Sequence, residues 1–179
     1  MDEPETALVI LSFLQADYKS ANYRDELASL EQEVTQGIDL NGCTGASLDD
    51  GCLETDGLRS TGITFRLRGV EFQRLAAAQQ VAEELKDIAD QLEHRLLAEA
   101  TQNLRRNLLI STSDKWQDHL SREVSRVMMQ SVTLKECAQE HITLALTLAL
   151  VKGVCEQTPQ LLRNLFTTTL HYIVHSRTR

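Results

Sequence analysis

The sequence is short of aromatic residues, proline and paired cysteines. Only 4% of its 179 residues are aromatic and only two are proline, a balance that favours helices over sheets. Its four cysteines, Cys43, Cys52, Cys137 and Cys155, include no CxxC pair. Their scatter excludes the usual spacing of a zinc site and a disulfide framework, and it indicates a reducing compartment.

An excess of positive charge and a long apolar run are also missing. The net charge of −8 argues against nucleic acid as a partner, because phosphate binding needs a basic surface. The longest strongly apolar stretch, 142–151, is about half of the roughly 20 residues that a membrane-spanning helix needs. The acidic start MDEPET lacks the basic region of a signal peptide. We therefore expect the intact protein to be cytoplasmic.

Sequence motifs of catalysis are absent as well. The chain has no phosphate-binding glycine loop, no HExxH and no GxSxG, which are the motifs that common hydrolases and nucleotide-binding enzymes use. His171 and His175 are spaced to share a helix face, but no further ligand follows at a suitable spacing, so ordinary interface histidines are the favoured interpretation. We expect a protein that is not an enzyme and needs neither cofactor nor metal.

Helical periodicity, by contrast, covers most of the chain. Seven of the eight glycines lie between Gly37 and Gly69, which predicts a flexible loop over 35–69. Amino-terminal helices are predicted within 1–34, and a helical body over 70–179. That body has one helix at about 75–97 and an apolar hairpin at about 134–174, in which Thr158 is the predicted N-cap of the second helix and Pro159 its first residue. The sequence thus predicts an all-α bundle with a buried central hydrophobic hairpin and a long disordered loop between the second and third helices.

The helix after the loop carries a stripe suited to a partner's groove. Its apolar members are spaced four, three and four residues apart, which places them on one face: Val81, Leu85, Ile88 and Leu92. Between the last two, Ala89 allows close helix approach, and Asp90 can meet an arginine at a groove rim. Nearly every bundle helix has a stripe facing its own core, so the stripe alone leaves both interpretations open.

The segment VAEELKDIADQL resembles the third Bcl homology (BH3) segment of the Bcl family of cell-death regulators. The kernel of that segment, Leu-x-x-x-small-Asp, falls on Leu85, Ala89 and Asp90, with alanine where glycine is commoner. Three further stretches narrow the resemblance to one group of BH3-only relatives: FLQADYKSANYRDELASL, LETDGLRS and TPQLLRNLFTTTLHYI. The order of elements agrees along nearly the whole chain.

This resemblance implies activation by proteolysis. In such relatives an initiator caspase cuts after the aspartate of a loop tetrapeptide, here Leu53-Glu54-Thr55-Asp56, so that the bond would be Asp56–Gly57. The carboxyl-terminal fragment is then expected at the mitochondrial outer membrane. There its BH3 helix enters the grooves of effectors of the Bax and Bak type, or of anti-apoptotic relatives, and promotes permeabilisation and cytochrome c release.

Two modifications are expected around the same bond. Cutting makes Gly57 an amino terminus, and the new start Gly57-Leu58-Arg59-Ser60-Thr61 suits myristoylation, which relatives undergo after cleavage. Phosphorylation of Thr55 would place a dianion beside the scissile bond and should slow cutting.

The cut would also separate charge. Residues 1–56 contain thirteen acids and two bases, net −11, and residues 57–179 contain thirteen acids and sixteen bases, net +3; the two add to −8. Anionic lipid, such as that of mitochondria, attracts basic segments. A solvated acidic face is the plainer explanation of the asymmetry.

Two other roles fit the same helices. One is a groove-bearing anti-apoptotic relative that captures other BH3 helices, although we find no Asn-Trp-Gly-Arg signature typical of that group. The other is a helical adaptor with no proteolytic switch, whose loop is a passive insertion and whose stripe is only core.

Overall fold

The protein is largely helical in the part of the chain that its computed structural model describes, residues 3–18, 20–42, 70–131 and 138–177. The α-helices there are Glu3–Gln15 (α1), Ala21–Gly42 (α2), Val70–Gln91 (α3), His94–Ile110 (α4), Trp116–Gln130 (α5), Gln139–Gln157 (α6) and Leu162–Arg177 (α7). Short 3-10 turns, Ser113–Lys115 and Pro159–Leu161, precede α5 and α7. The all-α prediction is confirmed.

Helix α6 lies at the centre of the bundle and contacts α1, α3, α4, α5 and α7. Its apolar run ITLALTLALV leaves little polar surface, so that the helix is stable only when covered on most sides. Its buried residues lie around most of its circumference: Ile142, Ala145, Leu146, Thr147, Leu148, Leu150, Val151, Val154 and Cys155. With α7 it forms the predicted central hairpin. Its first residue is Gln139, and the predicted start near 134 falls outside the described residues.

The turn of this hairpin differs in detail from the expected cap. Pro159 does occupy the start of a helical turn, as predicted, but the Thr158 side chain makes no capping hydrogen bond to it. Instead Arg105 Nε donates to Thr158 Oγ1 at 2.7 Å. The turn is thereby tied to α4, so that a long-range contact replaces the local one that the sequence suggested.

The predicted helix at 75–97 is wrong at its carboxyl end. Helix α3 ends at Gln91, and Glu93, with φ −66° and ψ 113°, is extended before α4 begins. Neither glycine nor proline marks this break. The cause is tertiary packing, because α3 packs on α1 and α6 whereas α4 packs on α5 and α6. Leu92, 3% exposed, is buried at the corner between them.

Helix α2 extends beyond the predicted start of the loop. Helix α2 continues to Gly42, past the predicted loop start at residue 35, and residues 43–69 lie outside the described part of the chain. Among the described helices none is long and apolar enough to cross a membrane.

Candidate functional site

The candidate site is the inward face of α3. The buried residues of this face follow the helical repeat: Ala78, Ala82, Leu85, Ala89 and Leu92. Val81 and Ile88 are half-buried at its edges and pack against the core, whereas Asp90 is exposed. The predicted stripe is therefore brought together with Ala89, and the face also includes two alanines, Ala78 and Ala82, that the search for large apolar residues missed.

Helix α1 covers this face. The α1–α3 pair is the most extensive helix contact in the described fold, and α3–α6 is the next. The α1 sequence is apolar on almost every side, and its buried residues are Thr6, Ala7, Leu8, Val9, Ile10, Leu11, Phe13 and Leu14. The short side chains of the buried alanines on this face suit a close approach of the helices that pack on α3, which are α1 and α6. The BH3-like face thus forms half of an internal helix–helix interface.

Separating α1 from this face of α3 requires a large free energy. Leu85 is 1% exposed and Leu14 is fully buried, and each buried leucine contributes about 1.5–3 kcal/mol. With Leu8, Leu11 and Phe13 also buried, separation of α1 from the bundle costs on the order of 10 kcal/mol. Exposing this face of α3 therefore requires that energy.

Polar contacts fasten the carboxyl-terminal end of α1. The last carbonyls of a helix lack partners within the helix, and here two of them accept hydrogen bonds from other helices. Tyr23 Oη of α2 donates to the Leu14 carbonyl at 2.7 Å in the core. Lys152 Nζ of α6 donates to the Ala16 carbonyl. Burial raises the pKa of Tyr23 far above its ordinary value, so that its hydroxyl stays a donor.

An ion pair extends this contact to α3. Asp17, which follows α1 with a φ of 52° in the left-handed region, pairs with Lys86 on the exposed side of α3. The hydrogen bond to Lys86 lowers the pKa of Asp17, and the same hydrogen bond raises the pKa of Lys86. Lys152 is different: its partial burial lowers its pKa, although Glu156 and Asp17 nearby oppose the shift.

A second polar contact ties α2 to α7. Arg163 donates to Glu33 at 3.0 Å and to Ser29 at 2.5 Å. The side chains of Arg163 and Glu33 are 49% and 54% exposed, so this pair is well hydrated and contributes little to stability. Together with the Asp17 and Lys152 contacts, it links the amino-terminal part of the chain to cationic side chains of α3, α6 and α7.

The other predicted site residues divide into two groups. Leu53, Glu54, Thr55, Asp56 and Gly57, the predicted cleavage and modification residues, lie outside the described residues. His171 and His175 lie on α7 with ring centroids 6.2 Å apart, and His175 Nδ1 is 2.8 Å from the His171 carbonyl. Across the described part of the chain, no three His, Cys, Asp or Glu side chains meet in a way that could hold a metal ion.

Two apolar central helices wrapped by amphipathic ones, with a Leu-x-x-x-Ala-Asp helix facing inward, define a Bcl-type bundle that carries a BH3 helix. The family described as BH3 interacting domain (BID) matches residues 1–177, so the chain belongs to the BID family. It is 29% identical over 179 residues to the BH3-interacting domain death agonist of chicken, Gallus gallus; the match covers 93% of this chain and 85% of the chicken protein.

Three stretches of the sequence narrow the resemblance from the Bcl family to this death agonist, Bid. The family match and the chicken relative confirm that resemblance. Membership of the family supports a pro-apoptotic, BH3-only role among Bcl-family partners.

Proposed function

We propose that this chain is a latent pro-apoptotic regulator whose BH3 helix, α3, is withheld by α1 and α2 until the segment between α2 and α3 is cut. One observation carries the proposal. In a chain of the BID family, Leu85 and Ala89 of the BH3 kernel are buried on the face of α3 that packs against α1 and α6. A helix in that position cannot enter a groove, because both would need the same face.

The proposed trigger is an initiator caspase that cuts the Asp56–Gly57 bond. Caspases hold the aspartate in an arginine-lined pocket, prefer glutamate two places before it, and need a small residue after it; Glu54, Asp56 and Gly57 meet these needs. After the cut, α1 and α2 are joined to the rest of the protein only by noncovalent contacts.

The cleavage site is tested by two matched variants. Asp56→Ala should remain intact on incubation with the initiator caspase, whereas Asp50→Ala, which changes another Asp-Gly pair in the same segment, should be cut like the unaltered protein. Cutting of Asp56→Ala at the unaltered rate would show that the site is wrong. Phosphorylated and plain peptides spanning Thr55 would show whether phosphate slows the reaction.

The released fragment, 57–179, is proposed to act through α3 at the mitochondrial outer membrane. Its net charge of +3 favours an anionic lipid surface. The apolar hairpin α6–α7 and a myristoyl group on Gly57 would add the further affinity that one lipid chain alone lacks. There α3 would engage effectors of the Bax and Bak type, with anti-apoptotic Bcl relatives competing for the same face.

Groove binding is tested by substitutions in the fragment. Leu85→Ala with Asp90→Ala should leave membrane docking intact but abolish cytochrome c release from mitochondria. Glu83→Ala with Glu84→Ala changes two exposed residues of the same helix and should leave release unchanged. Undiminished release by the Leu85 and Asp90 variant would remove the groove-binding claim.

Lipidation and the mitochondrial destination have their own test. Gly57→Ala keeps a small residue after the cut but removes the myristoyl acceptor, so cutting should proceed while the amount of fragment bound to mitochondria falls. If nicking the segment leaves membrane affinity unchanged altogether, the chain is a helical adaptor without a switch.

A further inference from the structure

Two lysines from different helices meet the same end of α1. Lys86 belongs to α3 and pairs with the Asp17 carboxylate, and Lys152 belongs to α6 and donates to the neighbouring Ala16 carbonyl. Residues 16 and 17 belong to the amino-terminal part, and both lysines belong to the part after the proposed cut. Each of these contacts therefore joins the amino-terminal piece to the piece that follows the proposed cut.

The two lysines do not contribute equally. The side chains of Lys86 and Asp17 are 36% and 69% exposed, and water and salt screen a pair of that kind. Lys152 is half-buried on the central helix. Its ammonium faces the negative end of the α1 helix dipole and a carbonyl that has no partner within the helix. A charged hydrogen bond of this kind is worth more than an exposed ion pair.

The break after α1 presents both groups at once. Asp17, in the left-handed region, lies two residues after the end of α1 at Gln15, so the Ala16 carbonyl and the Asp17 carboxylate are adjacent. Lys152 and Lys86 thereby fix the end of α1 to α6 and to α3, the helix that carries the BH3 face. If this end detaches, α1 loses polar contacts that help to hold it on α3 and α6.

We propose that Lys152, assisted by Lys86, forms a polar latch that keeps the amino-terminal piece docked after the chain has been cut. The latch rests on the proposed function, in which a cut separates the pieces. With this latch, cutting alone should leave α3 covered, since α1 is held by this end as well as by its apolar contacts. In the uncut chain the connecting segment holds α1 at high effective concentration, so the latch should matter little there.

The test measures the dissociation constant of the two pieces. A recognition sequence for an unrelated site-specific protease is inserted into residues 43–69, so that the result does not depend on whether a caspase cuts at Asp56. A fluorophore on the amino-terminal piece reports its release on dilution, without membrane or partner, so that failure of groove binding also leaves the result standing.

Lys152→Met, which keeps the aliphatic stem and removes the ammonium, should weaken retention roughly tenfold or more. Lys115→Met removes an equal charge from the exposed turn before α5 and should leave retention unchanged. Uncut Lys152→Met should stay closed, with an unchanged helical circular dichroism spectrum. Equal retention in the Lys152→Met and Lys115→Met proteins would overturn the proposal.

A second pair of variants keeps the proposal testable if Lys152→Met does not fold. Asparagine tolerates the left-handed region, so Asp17→Asn removes the charge without changing the turn. It should weaken retention by less than roughly threefold and reduce its dependence on salt. Glu33→Gln, at the separate Arg163 contact, should have an effect of similar size. An effect of Asp17→Asn that exceeds that of Lys152→Met, or retention unaffected by Asp17→Asn at any salt concentration, would contradict the proposal.

Discussion

Leu14→Ala shortens a side chain of α1 that is fully buried and leaves every residue of α3 unchanged. A Leu→Ala substitution at such a position destabilises a core by about 3–5 kcal/mol. The closed state, in which α1 is docked, bears this loss, whereas a state with α1 detached does not. The substitution therefore raises the population of the open state by roughly 100-fold or more.

The apparent affinity for a groove-bearing Bcl relative should rise by up to the same factor, because the partner binds only the open state. The assay is a titration of the uncut protein with a soluble groove-bearing domain, followed by anisotropy of a label on that domain. Leu104→Ala is the matched control: it is equally buried but lies on α4, which packs on α5 and α6. Thermal unfolding should show that both variants lose stability to a similar extent.

Only Leu14→Ala should bind more tightly. If it loses stability without any gain in binding, α1 is not what withholds the BH3 face. If both variants gain equally, the face is exposed by general unfolding rather than by departure of α1. Either outcome would refute the reasoning.

Three further predictions concern the packing and titration of the bundle. A Cβ on Gly153 would lie 2.9 Å from Thr101 Cγ2, so Gly153→Ala should lower the free energy of unfolding by about 1–3 kcal/mol. In a Thr101→Ala background most of that loss of stability should disappear. A loss of the same size in that background would rule out the clash. Tyr23→Phe leaves the Leu14 carbonyl unpaired in the core and should lower stability by about 1–2 kcal/mol, with faster amide exchange in α1; unaltered exchange would contradict this. Burial raises the pKa of the Cys155 thiol above its ordinary 9.0. The contribution of the protonated thiol to stability is thus complete below pH 9 and is lost as the pH rises beyond it. Cys155→Ala should therefore flatten the decline of the urea midpoint between pH 9 and the ordinary tyrosine pKa of 10.0. An equally steep decline in the variant would assign the loss of stability to other groups.

Periodicity was enough to find the face of α3 that matters, but not its centre. Large apolar side chains dominate such a search, so the spacing of Leu85 and Leu92 was found while Ala78 and Ala82 were passed over. Alanine is weakly hydrophobic, and it marks an interface through its small size, which becomes visible only when the packing of α3 on α1 and α6 is known. The central position of α6 was easier to predict, because a helix that is apolar on nearly every side is stable only where other helices cover it.

The end of α3 and the polar contacts of α1 could not be predicted in the same way. The chain turns at Leu92 because α3 and α4 pack on different neighbours, and no local residue signals it. Lys152 follows an apolar run, and its sequence context predicts an ordinary solvated lysine. Its hydrogen-bond partner, the Ala16 carbonyl, is 136 positions away in the sequence. A main-chain carbonyl has no sequence signature, so only the fold reveals that contact.

Competition between the amino-terminal piece and a groove-bearing Bcl relative for the fragment 57–179 tests the central claim most directly. The fragment is first bound to a labelled groove-bearing domain, and the piece 1–56 is then titrated in. If α1 and the groove use the same face of α3, the piece displaces the domain completely, and the Leu14→Ala piece does so only at higher concentration. A stable ternary complex, with the domain still bound at saturating amino-terminal piece, would contradict the account.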